Sequence, residues 1–358
     1  MQIVIWGMKY LMQSFIDRKG LYKNDKIVAF VDNNSLLWGK SYQGIPILSP
    51  IELKQIVFDY VIICADDISI RKQLIEELDI NIYKIKSIKE IEKYYTQKLI
   101  EKYADSKDEE IQKLILHYEK NGLSVFGDYS PELVDYEVYR DEENHPYVVY
   151  EQKRIYYPDA YRFIWRCNGK EYISDIMYEQ KDKSPHLYIK DENIITQNSV
   201  LVDAGTCEGN FAIRFVDKVS KMYLIEPDPV WQECLQRTFY PFKDKVVICN
   251  KSLARYDSSS TITLDSLLNN QKIDFLKMDI EGGEIDALLG AQNTLINNNV
   301  NCSICSYHKM NDEKNIKLIL NSLGYQTSVS DGYMFFWYDK DIFDTLDLRR
   351  GIIYAKKL

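Results

Sequence analysis

Apolar runs bounded by glycine, asparagine or aspartate recur through the first eighty residues. Consecutive apolar residues in runs of this length are typical of strands buried on both faces of a parallel sheet. Helical spacing of apolar positions follows the first and the third run. Strand and helix in alternation predict a small doubly wound α/β domain over residues 1–84. The predicted strands are 2–6, 26–31 and 60–64, with helices to about Arg18 and over about 69–78.

A second alternation of strands and helices begins at Ser199. The last two predicted strands flank Ser330-Asp331-Gly332, a hairpin-like turn that makes one terminal strand antiparallel. The pattern predicts a seven-stranded, mostly parallel α/β sheet. Its strands are predicted at 199–203, 221–226, 245–249, 273–279, 301–307, 324–329 and 333–338, and its helices at about 209–218, 229–239, 283–296 and 311–322.

The residues between these two regions have a different pattern. Residues 85–150 begin with a charged stretch of helical periodicity and are predicted to form a mainly helical connector. Tyrosines are frequent from Val125 to about Asp191, in short alternating runs that predict irregular strands and loops. We predict that the second domain spans 151–358 and that its first part is a lid segment.

Charge and composition narrow the class of protein. The 358 residues carry a formal net charge of −9, which argues against a general nucleic-acid binder and against docking on an anionic membrane. No apolar stretch is long enough to span a membrane, and Met1 is not followed by a signal-peptide pattern. The seven scattered cysteines fit a reducing compartment. We expect a cytoplasmic protein with a small-molecule or glycan substrate, and a homo-oligomer is left open.

A glycine-bearing turn follows the first strand of the second alternation. Asp203 ends that strand, and Gly205, Glu208 and Gly209 lie in the turn before the next helix. The spacing differs from the G-x-G-x-x-G of dinucleotide sites, so a ligand with an amino-acid end and a nucleoside end is favoured over a pyrophosphate. Glu226 ends the next strand, about twenty residues after Gly205, where an acid accepts hydrogen bonds from ribose hydroxyls.

These residues resemble a known family. Val202-Asp-Ala-Gly-Thr-Cys-Glu-Gly209 and Ile225-Glu-Pro-Asp228 resemble the cofactor site of class I S-adenosylmethionine (SAM)-dependent methyltransferases. The stretch from Ile273 to Gly290 is similar to the signature of the FkbM family, and Ser184-Pro-His-Leu-Tyr188 also resembles that family. The resemblance covers about residues 184–358. It implies a Rossmann-like methyltransferase sheet, SAM as cofactor and O-methylation, often of sugars.

Methylation of a sugar hydroxyl calls for groups that position the acceptor and remove its proton. Such groups are expected at the carboxyl ends of the strands, where open α/β sheets bind ligands. Asp279 and His308 end two strands, and we predict both as catalytic, with His308 as the base because its ordinary pKa lies near neutrality. Asp279 is also a candidate to contact the cofactor, to orient His308, to bind the acceptor or to hold a divalent ion.

The remaining candidates are assigned by position. Ser252 is predicted to help contact the adenine. His186 and Tyr188 are predicted to fold over the donor and bind the acceptor, with an ordinary turn fixed by Pro185 as the structural alternative. Glu281 is a further candidate for binding the acceptor, with capping of the following helix as the structural alternative. Asp279, Glu281, Glu284 and His308 are suitable metal ligands, but their spacing in the sequence does not specify a metal site.

The N-terminal region has a resemblance of its own. Ile3 to Gly7, Val31-Asp32-Asn33, Trp38-Gly39-Lys40 and Gly44-Ile-Pro46 resemble a small Rossmann-like domain of some sugar-modifying enzymes. That resemblance implies nucleotide-sugar binding, with Asp32 as a candidate to hold a ribose, or else a scaffold role. Two other functions therefore stay open, a nucleotide-sugar oxidoreductase and a non-catalytic nucleotide-sugar-binding protein. The oxidoreductase would need a full glycine fingerprint near Gly7, which the sequence lacks.

Overall fold

The computed structural model describes residues 1–129, 136–158 and 179–357. Contacts between residues divide the chain into two compact units. Unit 1 contains Met1–Val125 and Phe335–Asp347, and unit 2 contains Phe126–Met334 and Leu348–Leu358. Unit 1 is thus assembled from two separate stretches of chain.

Unit 1 is built on a six-stranded sheet in the order β3-β4-β2-β1-β5-β6. Only the β3–β4 pair is antiparallel. The strands are β1 (Gln2–Trp6), β2 (Lys26–Val31), β3 (Ser41–Tyr42), β4 (Ile45–Leu48), β5 (Tyr60–Ile63) and β6 (Ile85–Ser87). The helices are α1 (Tyr10–Asp17), α2 (Asp67–Lys72), α3 (Ile88–Tyr103), α4 (Glu109–Asn121) and the short Ile342–Thr345.

Alternate residues of β1 face opposite sides of this sheet, and each side has its own core. Ile3 and Ile5 pack with Phe15 of α1 and Ile88 of α3. Val4 and Trp6 lie in a second core that includes Ile70 and Leu74, from α2 and the turn after it. Helices therefore cover both faces, which confirms the doubly wound α/β arrangement predicted from the sequence.

Unit 2 is built on a seven-stranded sheet in the order β12-β11-β10-β15-β16-β18-β17. The strands are β10 (Val200–Ala204), β11 (Lys221–Ile225), β12 (Val246–Cys249), β15 (Phe275–Met278), β16 (Asn301–Cys305), β17 (Tyr325–Val329) and β18 (Ile352–Lys357). The small strands β7 (Tyr139–Arg140), β8 (Pro146–Tyr150), β9 (Lys153–Tyr156), β13 (Ser252–Leu253) and β14 (Thr261–Ile262) lie outside this sheet.

Short helices join the strands of unit 2. They are α5 (Asn210–Phe215), α6 (Pro229–Phe239), α7 (Leu264–Leu268), α8 (Glu284–Leu289), α9 (Gln292–Asn297) and α10 (Asp312–Ser322). The helix predicted over 283–296 is interrupted at Gly290, where an added Cβ would lie 2.1 Å from the Ala254 carbonyl oxygen. Further single turns are 3₁₀ at Lys19–Leu21, Ser35–Leu37, Glu52–Gln55, Ile82–Lys84, Glu192–Ile194 and Tyr240–Phe242, and π at Gln73–Glu77.

One strand of the large sheet was placed wrongly from the sequence. The antiparallel strand is β18, which pairs with both β16 and β17, and not the predicted strand 333–338. Met334 makes only an isolated bridge to Arg349, and Phe335–Asp347 belong to unit 1. The predicted hairpin at Ser330-Asp331-Gly332 is therefore wrong, although the seven-stranded sheet with an antiparallel terminal strand is confirmed.

The region before the large sheet contains a three-stranded antiparallel sheet, β7-β8-β9. Residues 130–135 and 159–178 of the tyrosine-rich segment lie outside the described residues, and so does that part of the predicted lid. The predicted domain boundaries at 84 and 150 stay predictions. Within the described residues, no helix is long and apolar enough to cross a membrane.

Candidate active site

The loop after β10 is fixed in place by hydrogen bonds from a buried lysine of the neighbouring strand. Lys277 Nζ lies 3.0 Å from Asp203 Oδ1 and donates to the carbonyl oxygens of Gly205, at 2.6 Å, and Ala204, at 3.3 Å. Asp203 and Lys277 are opposite each other in neighbouring strands, and both are buried. Burial raises the pKa of Asp203, and the facing ammonium of Lys277 opposes that shift. In this structure Asp203 anchors the loop, so a direct contact with a cofactor stays a prediction.

The two glycines of the loop are required by close packing. Gly205 has φ +74°, and a Cβ there would lie 1.6 Å from the carbonyl oxygen of Asp279. Gly209 has φ +85° and precedes α5, and its Cβ would lie 2.6 Å from the ring of Phe239. A side chain at Gly205 would push the loop away from the end of β15. The loop can follow this path only with glycine at these two positions.

Glu226 lies directly after β11 with its carboxylate fixed by backbone amides. Oε2 accepts from the amide of Cys207 at 2.9 Å, and Oε1 accepts from the amide of Asp228 at 2.8 Å. Each oxygen retains capacity for a further hydrogen bond, because a carboxylate has about four acceptor positions. The side chain is thus oriented at the strand end, next to the glycine loop.

Asp279 is the point at which the other candidates meet. Tyr188 Oη donates to Asp279 Oδ2 at 2.6 Å, and Tyr307 Oη donates to Oδ1 at 3.2 Å. The backbone amide of Asp279 donates to the Ala204 carbonyl at 2.9 Å, which ties the end of β15 to the glycine loop. Tyr188, which was predicted to fold over the donor and bind the acceptor, is therefore in direct contact with a predicted catalytic residue.

His186 lies on one side of Asp279. Its Nε2 is 3.3 Å from Asp279 Oδ2, and its Nδ1 is 3.2 Å from Glu179 Oε2. Although burial lowers the pKa of His186, hydrogen bonds to the Asp279 and Glu179 carboxylates outweigh it and raise the pKa to about 9. His186 therefore brings positive charge to Asp279 at neutral pH.

His308 lies on the other side, enclosed by carboxylates. Its Nε2 is 3.3 Å from Asp279 Oδ1 and 3.8 Å from Glu281 Oε2, and its Nδ1 is 3.1 Å from Glu284 Oε1. The imidazole is buried. Burial works to lower its pKa, but Glu284 and Asp279 raise it above the ordinary value.

The charges around Asp279 determine its own ionisation. Burial by itself would raise the pKa of this carboxyl, but His186, His308 and Lys277 hold it well below its usual range. Asp279 is therefore ionised at any physiological pH. An ionised carboxylate between two imidazoles is suited to accept a hydrogen bond from a ligand or to bind a cation.

Two predicted residues lie apart from this group. Ser252 lies in the two-stranded β13–β14 sheet, where its amide donates to the Ser260 carbonyl. Glu208 is buried in the glycine turn, and burial raises its pKa to about 8. Their predicted contacts with a cofactor stay predictions.

Tyr307 was missed from the sequence. It precedes His308 at the end of β16, and alternation along a strand would direct neighbouring side chains to opposite faces. Both nevertheless reach Asp279, because the strand ends at Cys305 and the next residues follow a different backbone path. Arg349 supports that path by donating to the carbonyls of Tyr307 and His308, at 2.9 and 3.1 Å.

In unit 1, Asp32 follows β2 at the corresponding position of the smaller sheet. Its Oδ2 accepts from the amide of Met8 at 2.8 Å, and its Oδ1 accepts from the amide of Asn34 at 2.8 Å. The carboxylate thus ties the loop after β1 to the loop after β2. This contact supports a structural role, and ribose binding at Asp32 stays a prediction.

Comparison with known proteins agrees with this geometry. Residues 249–327 match the Methyltransferase FkbM domain, and residues 1–86 match the family described as C2185-like, N-terminal. A search of curated proteins found no match. The FkbM match includes β15, Asp279 and His308. It covers less than half of the chain, and the predicted resemblance of the N-terminal region to sugar-modifying enzymes is not confirmed.

Several solved structures are similar at low identity. The methyltransferase FkbM from Methylobacillus flagellatus is 15% identical, with 99% of this chain and 89% of that chain covered and a TM-score of 0.48. The putative methyltransferase SMU.1697c from Streptococcus mutans, in complex with SAH, is 11% identical over 46% of this chain and 92% of that chain, with a TM-score of 0.30. The fibrillarin pre-rRNA processing protein from Methanococcus jannaschii is 12% identical over 63% and 98%, with a TM-score of 0.35.

Those identities and TM-scores are too low to support an argument about function. The finding that points to the methyltransferase class is the similarity of residues 249–327, within unit 2, to the Methyltransferase FkbM domain.

Proposed function

We propose that this chain is a SAM-dependent O-methyltransferase that acts on a hydroxyl group of a sugar, in a nucleotide-linked or surface-glycan precursor. The observation that supports it most is the FkbM domain match, which lies in the sheet whose strand ends carry Glu226, Asp279 and His308. SAM, when bound, supplies the methyl group. Residues of the chain bind the cofactor, orient the acceptor and remove the proton of its hydroxyl group.

The loop after β10 and Glu226 fit such a cofactor. The Glu226 carboxylate is oriented by two amides and can accept further hydrogen bonds, as two ribose hydroxyls require. Lys277 and the close packing at Gly205 keep the loop in place, so little ordering is needed when a ligand binds. We propose that Glu226 binds the ribose and that the loop containing Gly205, Glu208 and Gly209 lies along the cofactor.

We propose that the acceptor hydroxyl is activated at the Asp279–His308 pair. A hydroxyl is a weak nucleophile until its proton is removed, and both side chains lie within hydrogen-bonding distance of each other at the carboxyl end of the sheet. Tyr188 and Tyr307 hold Asp279 in one orientation through their hydroxyls. Because the surrounding groups are phenols, imidazoles and carboxylates, a polyhydroxylated acceptor is favoured over an apolar one.

Two measurements on the whole chain test this function. Calorimetry with S-adenosylhomocysteine is expected to show saturable binding. Mass spectrometry of nucleotide sugars and glycans incubated with SAM is expected to show a product heavier by one methylene. A protein with no affinity for either SAM or S-adenosylhomocysteine would refute the proposal, and NAD binding in its place would support the oxidoreductase alternative.

A further inference from the structure

His308 is surrounded by several acidic side chains, and activation of a hydroxyl group does not by itself account for their negative charge. Three carboxylates, from Asp279, Glu281 and Glu284, lie within 4 Å of its two ring nitrogens. Of the cations near Asp279, Lys277 also pairs with Asp203, and His186 is shared between Asp279 and Glu179. We call His308 and these three acidic residues the His308 group. It holds more negative charge than one imidazolium neutralises.

The contact with Glu284 determines which nitrogen of His308 carries hydrogen. Glu284 Oε1 accepts from the amides of Ile280 and Gly282, so we assign the ring hydrogen of His308 to Nδ1, which lies 3.1 Å from the same oxygen. In neutral His308, Nε2 then presents a lone pair toward Asp279 Oδ1 and Glu281 Oε2. Because Nε2 and the two carboxylate oxygens are then all hydrogen-bond acceptors, they repel one another unless a cation, either a proton or a metal ion, lies between them.

Glu284 provides an independent indication that a cation is needed. Its side chain is 1% exposed, and Oε2 is buried without a hydrogen-bond partner among the described residues. Burial of a carboxylate oxygen without a hydrogen-bond partner costs free energy unless positive charge lies nearby. Ligand atoms from Asp279, Glu284 and His308 all lie within 4.8 Å of one another, so Glu284 lies close to the Asp279–His308 pair.

We propose that the His308 group binds a divalent cation, with His308 Nε2, Asp279 and Glu281 as its ligands. Glu284 is a positioning residue, because a carboxylate that accepts the other ring hydrogen fixes the orientation of a metal-bound histidine. Two carboxylates and one imidazole form a mixed oxygen and nitrogen set that suits Mn²⁺, with Mg²⁺ as the harder alternative. Glu281 is 87% exposed, so the ion would keep open positions toward solvent and acceptor.

The site gives the proposed function a specific means of activation, and this part rests on that function. An acceptor hydroxyl bound to the ion has a lower pKa, and its O–H proton passes to water. The resulting alkoxide oxygen forms the new O–C bond as the S–C bond of SAM breaks, which releases S-adenosylhomocysteine. His308 then acts as a ligand and not as a free base.

The test uses the whole chain, stripped with EDTA and titrated with Mn²⁺ under electron paramagnetic resonance. We expect one Mn²⁺ per chain, with pulsed spectra that show nitrogen coupling from His308. Asp279→Asn and His308→Ala are expected to abolish binding, and Glu284→Gln to weaken it about 10- to 100-fold, as for other residues that orient a ligand. Glu284→Gln retains an acceptor oxygen for the amides of Ile280 and Gly282, so its fold is expected to persist.

The matched control is His145, which also lies among carboxylates but on the surface. Its Nε2 is 3.1 Å from Glu233 and its Nδ1 is 3.4 Å from Asp141. His145→Ala is expected to leave Mn²⁺ affinity unchanged. Failure to bind Mn²⁺, loss of binding in His145→Ala, or unchanged affinity in His308→Ala would each overturn the proposal.

S-adenosylhomocysteine binding, measured in EDTA, separates this proposal from the proposed function. A protein that binds S-adenosylhomocysteine but not Mn²⁺ has the function without the metal site. One that binds Mn²⁺ but not S-adenosylhomocysteine has the metal site without the function. The same titration on each variant shows that the loss of Mn²⁺ does not arise from unfolding.

Discussion

Glu226 is the residue whose proposed role is simplest to isolate. Replacing it with alanine removes the hydrogen-bond acceptors for the ribose, and we expect SAM and S-adenosylhomocysteine to bind about 10- to 100-fold more weakly. Calorimetry on the purified variant measures this. Glu233→Ala, at an exposed position of α6, is the control and should bind normally. Equal affinity in the Glu226 variant would remove the ribose assignment.

Substitution of His308 is expected to affect turnover without affecting cofactor binding. Its side chain contacts Asp279, Glu281 and Glu284, and we propose Glu226 and the loop after β10 for the cofactor, so His308→Ala is expected to retain SAM affinity. Turnover is expected to fall about a hundredfold or more, the scale of a lost activating group. Single-turnover kinetics at saturating SAM measures the effect. A variant with normal turnover would exclude His308 from the chemistry.

Glu208 allows a prediction about stability and pH. Burial raises its folded pKa to about 8, above the ordinary 4.5, so the folded state binds this proton more tightly than the unfolded state. The resulting stability is complete below about pH 4.5 and is lost as the pH rises through 8. Glu208→Gln, which stays neutral, should exceed the native chain in unfolding free energy by about 1–3 kcal/mol at pH 9.

Urea unfolding at pH 5 and pH 9 tests this prediction for Glu208. At pH 5 the two proteins should differ little, because the native carboxyl is protonated in the folded state. An advantage for Glu208→Gln that is the same at both pH values would mean that the effect comes from packing and not from charge.

At the scale of elements, the glycine loop after β10 lies directly against the end of β15, where Gly205 faces the carbonyl group of Asp279. Gly205→Ala would combine a positive φ with a Cβ 1.6 Å from the Asp279 carbonyl, so we expect loss of well over 2 kcal/mol of stability or failure to fold. Gly324→Ala is the matched control. Its φ is +85° but nothing lies within 4 Å of the added Cβ, so it should cost only about 1–2 kcal/mol.

Thermal and urea unfolding of the two alanine variants compares these costs directly. Similar losses at Gly205 and Gly324 would show that the loop moves to admit a side chain. The tight approach to β15 would then not define the path of the loop.

Elements with a strong local pattern could be predicted from the sequence. The strands around Asp203 and Met278 are mostly apolar and alternate with helices, and their ends were found because the last residues of parallel strands lie at one edge of the sheet. The last strand was missed for a physical reason. Ile352–Lys357 contains the apolar run Ile352-Ile-Tyr-Ala355, but its place between β16 and β17 depends on pairing with segments that are distant in the sequence, which a local pattern does not specify.

In the candidate site too, residues at strand ends could be predicted, and residues whose position depends on tertiary contacts could not. Asp279 and His308 were found as strand-end residues, whereas the convergence of His186 and Tyr188 on Asp279 depends on a segment whose path the local pattern does not specify. Tyr307 could not be predicted, because the direction of a side chain just beyond a strand depends on backbone angles that tertiary contacts determine.

At the scale of the whole molecule, the notable feature is that unit 1 includes Phe335–Asp347. Phe343 is buried there, with its ring 4.8 Å from that of Tyr95 and 5.7 Å from that of Phe335. Lys23 forms ion pairs with Asp341 and Asp344, and Arg18 lies 3.9 Å from the centre of the Trp337 ring. The segment is therefore an integral part of unit 1.

Phe343→Ala is expected to destabilise unit 1 by about 3–5 kcal/mol, the range for removal of a buried aromatic ring. Phe343→Leu, which retains most of the apolar volume, should cost much less. Differential scanning calorimetry of both variants measures the loss. Equal and small effects would mean that residues 335–347 contribute little to the core of unit 1.

The position of β18 has a consequence for the order in which the molecule can form during synthesis. This strand lies between β16 and β17, which are both made earlier, so the gap between them can close only after Lys357 has emerged from the ribosome. Until then the facing edges of β16 and β17 have unpaired backbone groups. A nascent chain stalled before residue 352 should therefore be a target for chaperones, even though β16 and β17 have both been translated by then.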